Sequence, residues 1–244
     1  MLLWFLPLAA TVLVAAILRG MTGFGFALAA VPLISLAIEP KVAVASTILL
    51  QVMVGVPDMM RLRGCYDRAE VARLTLGALV GMPFGIAALA WFDANATRLA
   101  IALISLAGLA MMVLQPRRIG FRPRVAWAAG ALSGLFGSLA AMPGPPAVAW
   151  FVASGTEPGR ARASMLVFFF LSALMTLPGL ALAGAIDAGT VWLSLAFLPF
   201  LILGTWAGGQ IFRRLHPRHY RAITLLVMAL AAGIAGARAI LGMV

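Results

Sequence analysis

Apolar runs alternate with short polar stretches along the whole chain. The runs cover roughly 2–38, 42–60, 71–92, 97–114, 125–154, 163–184, 190–212 and 221–243. Six of these eight lie near the ~20 residues that cross a bilayer as a helix. The first and fifth are longer, and each holds a Gly/Pro cluster of the kind that interrupts a regular helix. The first cluster reads Gly20-Met-Thr-Gly-Phe-Gly and reaches Pro32. The second reads Gly134-Leu-Phe-Gly-Ser-Leu-Ala-Ala-Met-Pro-Gly-Pro-Pro146. Both are Gly-x-x-Gly with a proline twelve residues after the first glycine. These two stretches are therefore predicted to be broken membrane segments.

The two halves also match in order. Gly20, Gly23 and Pro32 pair with Gly134, Gly137 and Pro146 at one constant offset. Pro40 and Ser46 then pair with Pro158 and Ser164, and Gly64, Asp67 and Val71 with Gly184, Asp187 and Val191. Gly81, Gly85 and Arg98 pair with Gly204, Gly208 and Arg221. Any single match is weak; the ordered series predicts an internal repeat. The expected layout is a first membrane repeat over 1–115, a basic linker over 116–124 and a second repeat over 125–244.

Charge decides how the repeats face each other. If every segment crosses once, the basic residues divide almost evenly between the two sides. If the first and fifth segments return to the side they came from, Arg61, Arg63, Arg68, Arg73, Arg117, Arg118, Arg122, Arg124, Arg160, Arg162, Arg213, Arg214, Arg218 and Arg221 share one side. Only Lys41, Arg98 and Arg238 are left on the other, with Arg19 inside the first hairpin and in neither count. That asymmetry is the positive-inside pattern. Residues 125–154 are also too short for two full spans, which suits a re-entrant hairpin. The expected fold is an all-α polytopic membrane protein of two inverted repeats. Each repeat has one broken or re-entrant hairpin segment and three transmembrane helices. Loops 61–73, 115–124, 157–162 and 213–221 are expected on the cytoplasmic face of a bacterial inner membrane, with both termini periplasmic. The apolar N-terminus is read as a retained helix, because it lacks a basic leader and a small-residue cleavage site.

Composition agrees with this class. The chain has 244 residues, is 64% hydrophobic and 10% charged, and has a mean hydropathy of +1.07. A soluble domain cannot hide that much apolar surface. The net charge of +11 is read as cytoplasmic loop arginine, not as a nucleic-acid surface. Cys65 is the only cysteine, so no intrachain disulfide forms. No His/Asp/Glu set has metal-ligand spacing, and no Cys–His pair or phosphate loop with its lysine is present. No cofactor and no metal are expected, and an enzyme is disfavoured.

Transport chemistry fits better. Irregular backbone at membrane depth is tolerated where it is buried in protein or lines a wet cavity. Half-helix N-termini there present free N–H groups and the positive end of the helix dipole, which favour an anion. The candidate substrate-binding residues are Arg19, Gly20, Thr22, Gly23, Phe24, Gly25 and Gln51 in the first half. In the second half they are Gly134, Gly137, Ser138, Pro143, Gly144 and Pro145. Glycines admit close approach of a ligand, while Thr22 and Ser138 offer hydroxyls. The competing reading of the glycines is close helix packing. Asp58, Asp67, Glu70, Asp93, Glu157, Asp187 and Glu39 lie at segment ends, so no buried proton carrier is expected.

At these two motifs the chain resembles the sulfite exporter TauE/SafE family of membrane permeases. The resemblance extends over nearly the whole chain, including the four-segment halves and the basic loop at 115–124. It implies a permease for small sulfur-containing or organic anions, such as sulfite, sulfoacetate or related sulfonates. The second motif departs from the first, with Ser138-Leu139 in place of Phe24-Gly25. The expected partners are a small anion and the lipid bilayer, and a homo-oligomer is left open. Two alternatives are carried forward: an anion channel of the same architecture, and a non-transporting membrane subunit.

Overall fold

The computed structural model describes residues 2–114, 120, 122–214 and 233. Among these the secondary structure is helical, in nine helices. They are α1 (Leu2–Thr22), α2 (Phe26–Ile34), α3 (Pro40–Arg61), α4 (Arg68–Trp91) and α5 (Ala94–Leu114), then α6 (Pro123–Ala140), α7 (Gly144–Ser154), α8 (Pro158–Leu182) and α9 (Ala188–Arg214). Six of them, α1, α3, α4, α5, α8 and α9, are long and apolar enough to cross a membrane. The apolar run at 221–243 lies outside the described residues except for Gly233. So do Arg117, Arg118, Arg218, Arg221 and Arg238.

The helix starts follow local chemistry. Prolines open α3, α6 and α8, where a missing N–H costs nothing. Asp67 accepts from the Glu70 N–H and Asp187 from the Thr190 N–H, each capping its helix. Gly64 and Gly184 just before them are both left-handed, at φ 82° and 68°. Residues that pair across the halves in sequence thus do the same work in the structure.

The same holds for the glycines. Along α4, Gly77, Gly81 and Gly85 meet the α6 backbone at Trp127, Ala131 and Leu135, and Gly134 meets Ala78. On the other side of the molecule Gly204 and Gly208 of α9 meet Leu13 and Ile17 of α1, and Gly20 meets Thr205. A methyl group at Gly81, Gly134, Gly20 or Gly208 would overlap a carbonyl oxygen of the facing helix. Rising numbers meet rising numbers in both pairs, so α4 runs parallel to α6 and α1 parallel to α9. These small-residue seams let helix backbones approach closely, as membrane packing favours.

Contacts along the bundle order its ends. Asp67 N–H donates to Ser164 Oγ, and the Gly179 backbone packs on Ile86, so α4 and α8 run the same way. Lys41 at the start of α3 reaches Ala90 at the end of α4, so α3 runs against α4 and α8, and its Gly55 packs on Phe170. Lys41 reaches the Ala90 carbonyl and Arg98 the Ser35 carbonyl at the other end. The starts of α4, α6 and α8 therefore share one end of the bundle. Arg61, Arg63, Arg68, Arg73, Arg122, Arg124, Arg160 and Arg162 all fall there. Lys41 and Arg98 lie at the opposite end.

Three buried clusters divide the interior. One joins α1, α2, α3 and α9 through residues such as Val12, Ile34, Leu50 and Phe197. A second joins α4, α6, α7 and α8 through Leu74, Ala126, Trp150 and Phe168. The third, with Val31, Ile48, Ile101, Met142 and Leu180, lies between them. Burial of this apolar surface against protein is packing rather than a hydrophobic drive, since lipid tails are as apolar as the core.

Candidate functional site

The long helix α1 stops at Thr22 because two glycines follow in the left-handed region, Gly23 at φ 81° and Gly25 at φ 91°. Such backbone costs L-residues about 1–2 kcal/mol and glycine almost nothing. The chain then turns back as the nine-residue α2. In the second half α6 stops at Ala141, which is left-handed at φ 57° without being glycine. Pro143, Gly144, Pro145 and Pro146 then restart the chain as α7.

These two breaks meet. A cavity of about 40 Å³, room for roughly three waters, lies between them. Its walls are Arg19 from α1, Gly23 to Leu28 from the first break and α2, and Gln51 and Gly55 from α3. Ala141 to Gly144 come from the second break, and Leu166, Phe169 and Phe170 from α8. Gln51 spans the gap, its side-chain amide donating to the Ala141 carbonyl at 3.0 Å.

The start of α2 supplies most of the polar character. Its first internal bond is Ala29 N–H to the Gly25 carbonyl. The N–H groups of Gly25, Phe26, Ala27 and Leu28 therefore have no helical acceptor, as at every helix start. Among the described residues none of them finds another. All four residues line the cavity. The start of α7 is different. Pro143, Pro145 and Pro146 carry no N–H, so Gly144 is the one donor from the start of α7 that lines the cavity.

Charge is also one-sided. Arg19 is buried, only 9% exposed, and its guanidinium pairs with the Asp58 carboxylate of α3. Arg162 of α8 donates to the Gly20 carbonyl at 3.0 Å. Its stem covers Gly23, whose missing Cβ would lie 2.7 Å from the Arg162 Cγ. In the second half Ser133, directly before Gly134, stands where Arg19 stands in the first. Its buried hydroxyl has no partner among the described residues.

Of the residues singled out from sequence, Arg19, Gly23, Phe24, Gly25, Gln51, Pro143 and Gly144 line the cavity together. The other six do not. Gly20 and Gly134 sit in the helix seams. Thr22 Oγ1 is turned to the Leu18 and Phe24 carbonyls, at 2.9 and 2.6 Å. Ser138 Oγ lies 2.8 Å from the Gly134 carbonyl and 3.0 Å from that of Met82. Gly137 faces Pro143 and Ser172, and Pro145 packs on Gly108 of α5.

Two residues have partners that the sequence did not give. Asp58 lies in the last turn of α3, at the segment end expected of it, and there pairs with the cavity's own cation. Arg162 reads as loop charge, but it stands on the second turn of α8 and reaches across the first break. The aromatic wall of α8 went unnoticed too. One signal could have found it: the offset that pairs Pro40 with Pro158 also pairs Gln51 with Phe169, and both line the cavity.

A family model described as sulfite exporter TauE/SafE matches residues 8–235. The chain belongs to the TauE/SafE family. Comparison with curated proteins and with solved structures gave no match. In TauE/SafE terms the match spans both breaks, most of α1, all of α2 to α9 and most of the run at 221–243. The family is one of membrane transporters, so this TauE/SafE chain is a multi-pass membrane protein with a transport role.

Proposed function

We propose that the chain exports a small sulfur-containing anion, sulfite or a compact sulfonate, from a bacterial cell by alternating access. One observation carries this reading. Both broken segments converge on one small cavity that holds four unpaired N–H groups and a buried arginine. A helix start and a guanidinium together favour an anion and offer it directional donors. The donors come chiefly from the first break; the second supplies a rigid, apolar wall.

The halves are read as inverted repeats. Hairpin α1–α2 opens toward the end that holds Lys41 and Arg98, and hairpin α6–α7 toward the arginine-rich end. By the positive-inside rule the arginine-rich end faces the cytoplasm of an inner membrane. The moving units need not be the repeats themselves. The two outer clusters each combine helices of both halves, α1–α3 with α9 and α4 with α6–α8. We read these as two bodies that rock about the α3–α8 contact. Arg162 on the Gly20 carbonyl joins them at the arginine-rich end, and Lys41 on the Ala90 carbonyl at the other. Each is a side chain on a backbone acceptor, which can part without unfolding either body.

The membrane potential supplies a driving force. With a negative interior, leaving is favourable for an anion by roughly 2.3 kcal/mol per charge per 100 mV. The test is flux from proteoliposomes of the purified chain under an imposed inside-negative potential. Sulfite or methanesulfonate should leave faster than from empty vesicles, and external anion should accelerate the exit of internal label. No flux of either sinks the reading, and single-channel currents without such exchange would favour a pore.

A further inference from the structure

The cavity's cation is already engaged. Arg19 lines the cavity, yet its guanidinium is held by Asp58, a neighbouring carboxylate on α3. Arg19 is 10% exposed and Asp58 20% by side chain, so both are largely withdrawn from water. Sparse solvent strengthens any charge interaction there. Apart from this pair, α1 and α3 are tied through α2 and α9, which share one buried cluster with Val12, Ala15, Ala43, Leu50 and Val54.

We infer that Asp58 is a specificity-determining residue, an internal anion that makes the site select singly charged substrates. This rests on the anion-carrier reading above. Without substrate, Asp58 neutralises Arg19. An arriving anion reaches the α2 N–H groups and shares Arg19 with the carboxylate. One added negative charge meets Arg19, Arg162 and the α2 dipole against Asp58, and is tolerated. A second negative charge on the same ligand doubles the repulsion from Asp58 along with the attraction to the cations, while the cost of taking the ion out of water rises faster than its charge. Asp58 thus lowers affinity for all anions and lowers it more for dianions. Weak binding with a ready competitor also speeds release, which suits a carrier better than a tight binder does.

The experiment measures binding of methanesulfonate and sulfate, a monoanion and a dianion of similar size, to purified protein at one pH. Wild type should prefer methanesulfonate by about tenfold or more, the scale of one unscreened charge interaction. Asp58→Asn should bind both more tightly and gain most for sulfate, cutting the preference by about tenfold. Asp58→Glu, which keeps the charge, should restore the wild-type ratio. An unchanged ratio in Asp58→Asn, with wild type still binding, overturns the inference and leaves the anion site standing. Wild-type binding of neither ion removes the anion site and this inference with it. If Asp58→Asn does not fold, the wild-type ratio decides: a preference for sulfate overturns the proposal.

Discussion

The two broken segments are built to one plan and equipped for different work. Each ends a long helix in a left-handed residue and restarts a short one toward the end it came from. Each is fixed by a glycine seam to a helix of the other half. At the first break the turn is made by Gly23 and Gly25, the donors are open, and Arg19 and Asp58 stand beside them. At the second, Ala141 makes the turn, prolines delete the donors, and Ser133 replaces the arginine. Packing is shared between the halves, whereas chemistry is not. A duplicated scaffold can keep its seams and let one copy of the site become a wall.

The largest effects should come from the shared part. Gly134→Leu and Gly208→Leu both drive a side chain into a facing backbone carbonyl, where nothing flexible can yield. Both variants should fail to give monodisperse protein on size exclusion; a well-folded Gly208→Leu would break the equivalence of the seams.

Next comes charge. Arg19→Gln leaves Asp58 largely buried without its partner, a loss on the order of 3 kcal/mol, and should abolish methanesulfonate binding by calorimetry. Ser133→Ala removes a buried hydroxyl that has no partner among the described residues, so its melting temperature should hold or rise slightly. Equal damage from both would erase the contrast between the breaks.

Smaller differences should follow at the matched glycines. Gly23→Ala meets a left-handed backbone and the Arg162 stem at 2.7 Å, and should cut flux about tenfold or more at a stability cost of roughly 1–2 kcal/mol. Gly137→Ala meets the Pro143 side chain at 3.2 Å and the Ser172 hydroxyl at 3.4 Å, and should cost under about 1 kcal/mol with flux largely kept.

The smallest effect lies at the helix starts. Glu157 accepts from the N–H groups of Gly159 and Arg160 at 2.9 Å each, and these bonds hold its carboxyl below the ordinary 4.5. A depressed carboxylate stabilises the fold above its unfolded value and loses that contribution as pH falls through the folded one. Glu157→Gln should therefore lower the melting temperature slightly near neutrality and converge with wild type in acid. Glu39 opens α3 without such bonds, and Glu39→Gln should leave the melting temperature near neutrality unchanged.

Much of this organisation is legible in the chain. Apolar run lengths, the two Gly/Pro interruptions and the ordered glycine matches give the helices, the hairpins and the seams. They do so because membrane packing leaves a strong local trace in small residues and prolines. The unequal donors were legible too, since Pro143, Pro145 and Pro146 cannot donate. What local pattern could not give is which glycines face a helix and which face a void. Gly20 and Gly23 lie one turn apart, and only the position of α9 separates a seam from a cavity wall. The Arg19–Asp58 pair and the reach of Arg162 depend on distant segments meeting, and neither residue type announces its partner.

The parallel seams also bear on how the chain comes together as it is made. Helix α6 emerges soon after α4, so that seam can close early, with only α5 and a short connection between them. Helix α1 must wait for α9, which is synthesised last among the described helices. Until then its glycine face and Arg19 stand without their final neighbours, although Asp58 arrives with α3. The N-terminal half should thus be the later one to reach its native packing, against the usual order in which early segments settle first. A ribosome-bound nascent chain stopped before α9 should protect α4 and α6 from proteolysis while α1 stays accessible.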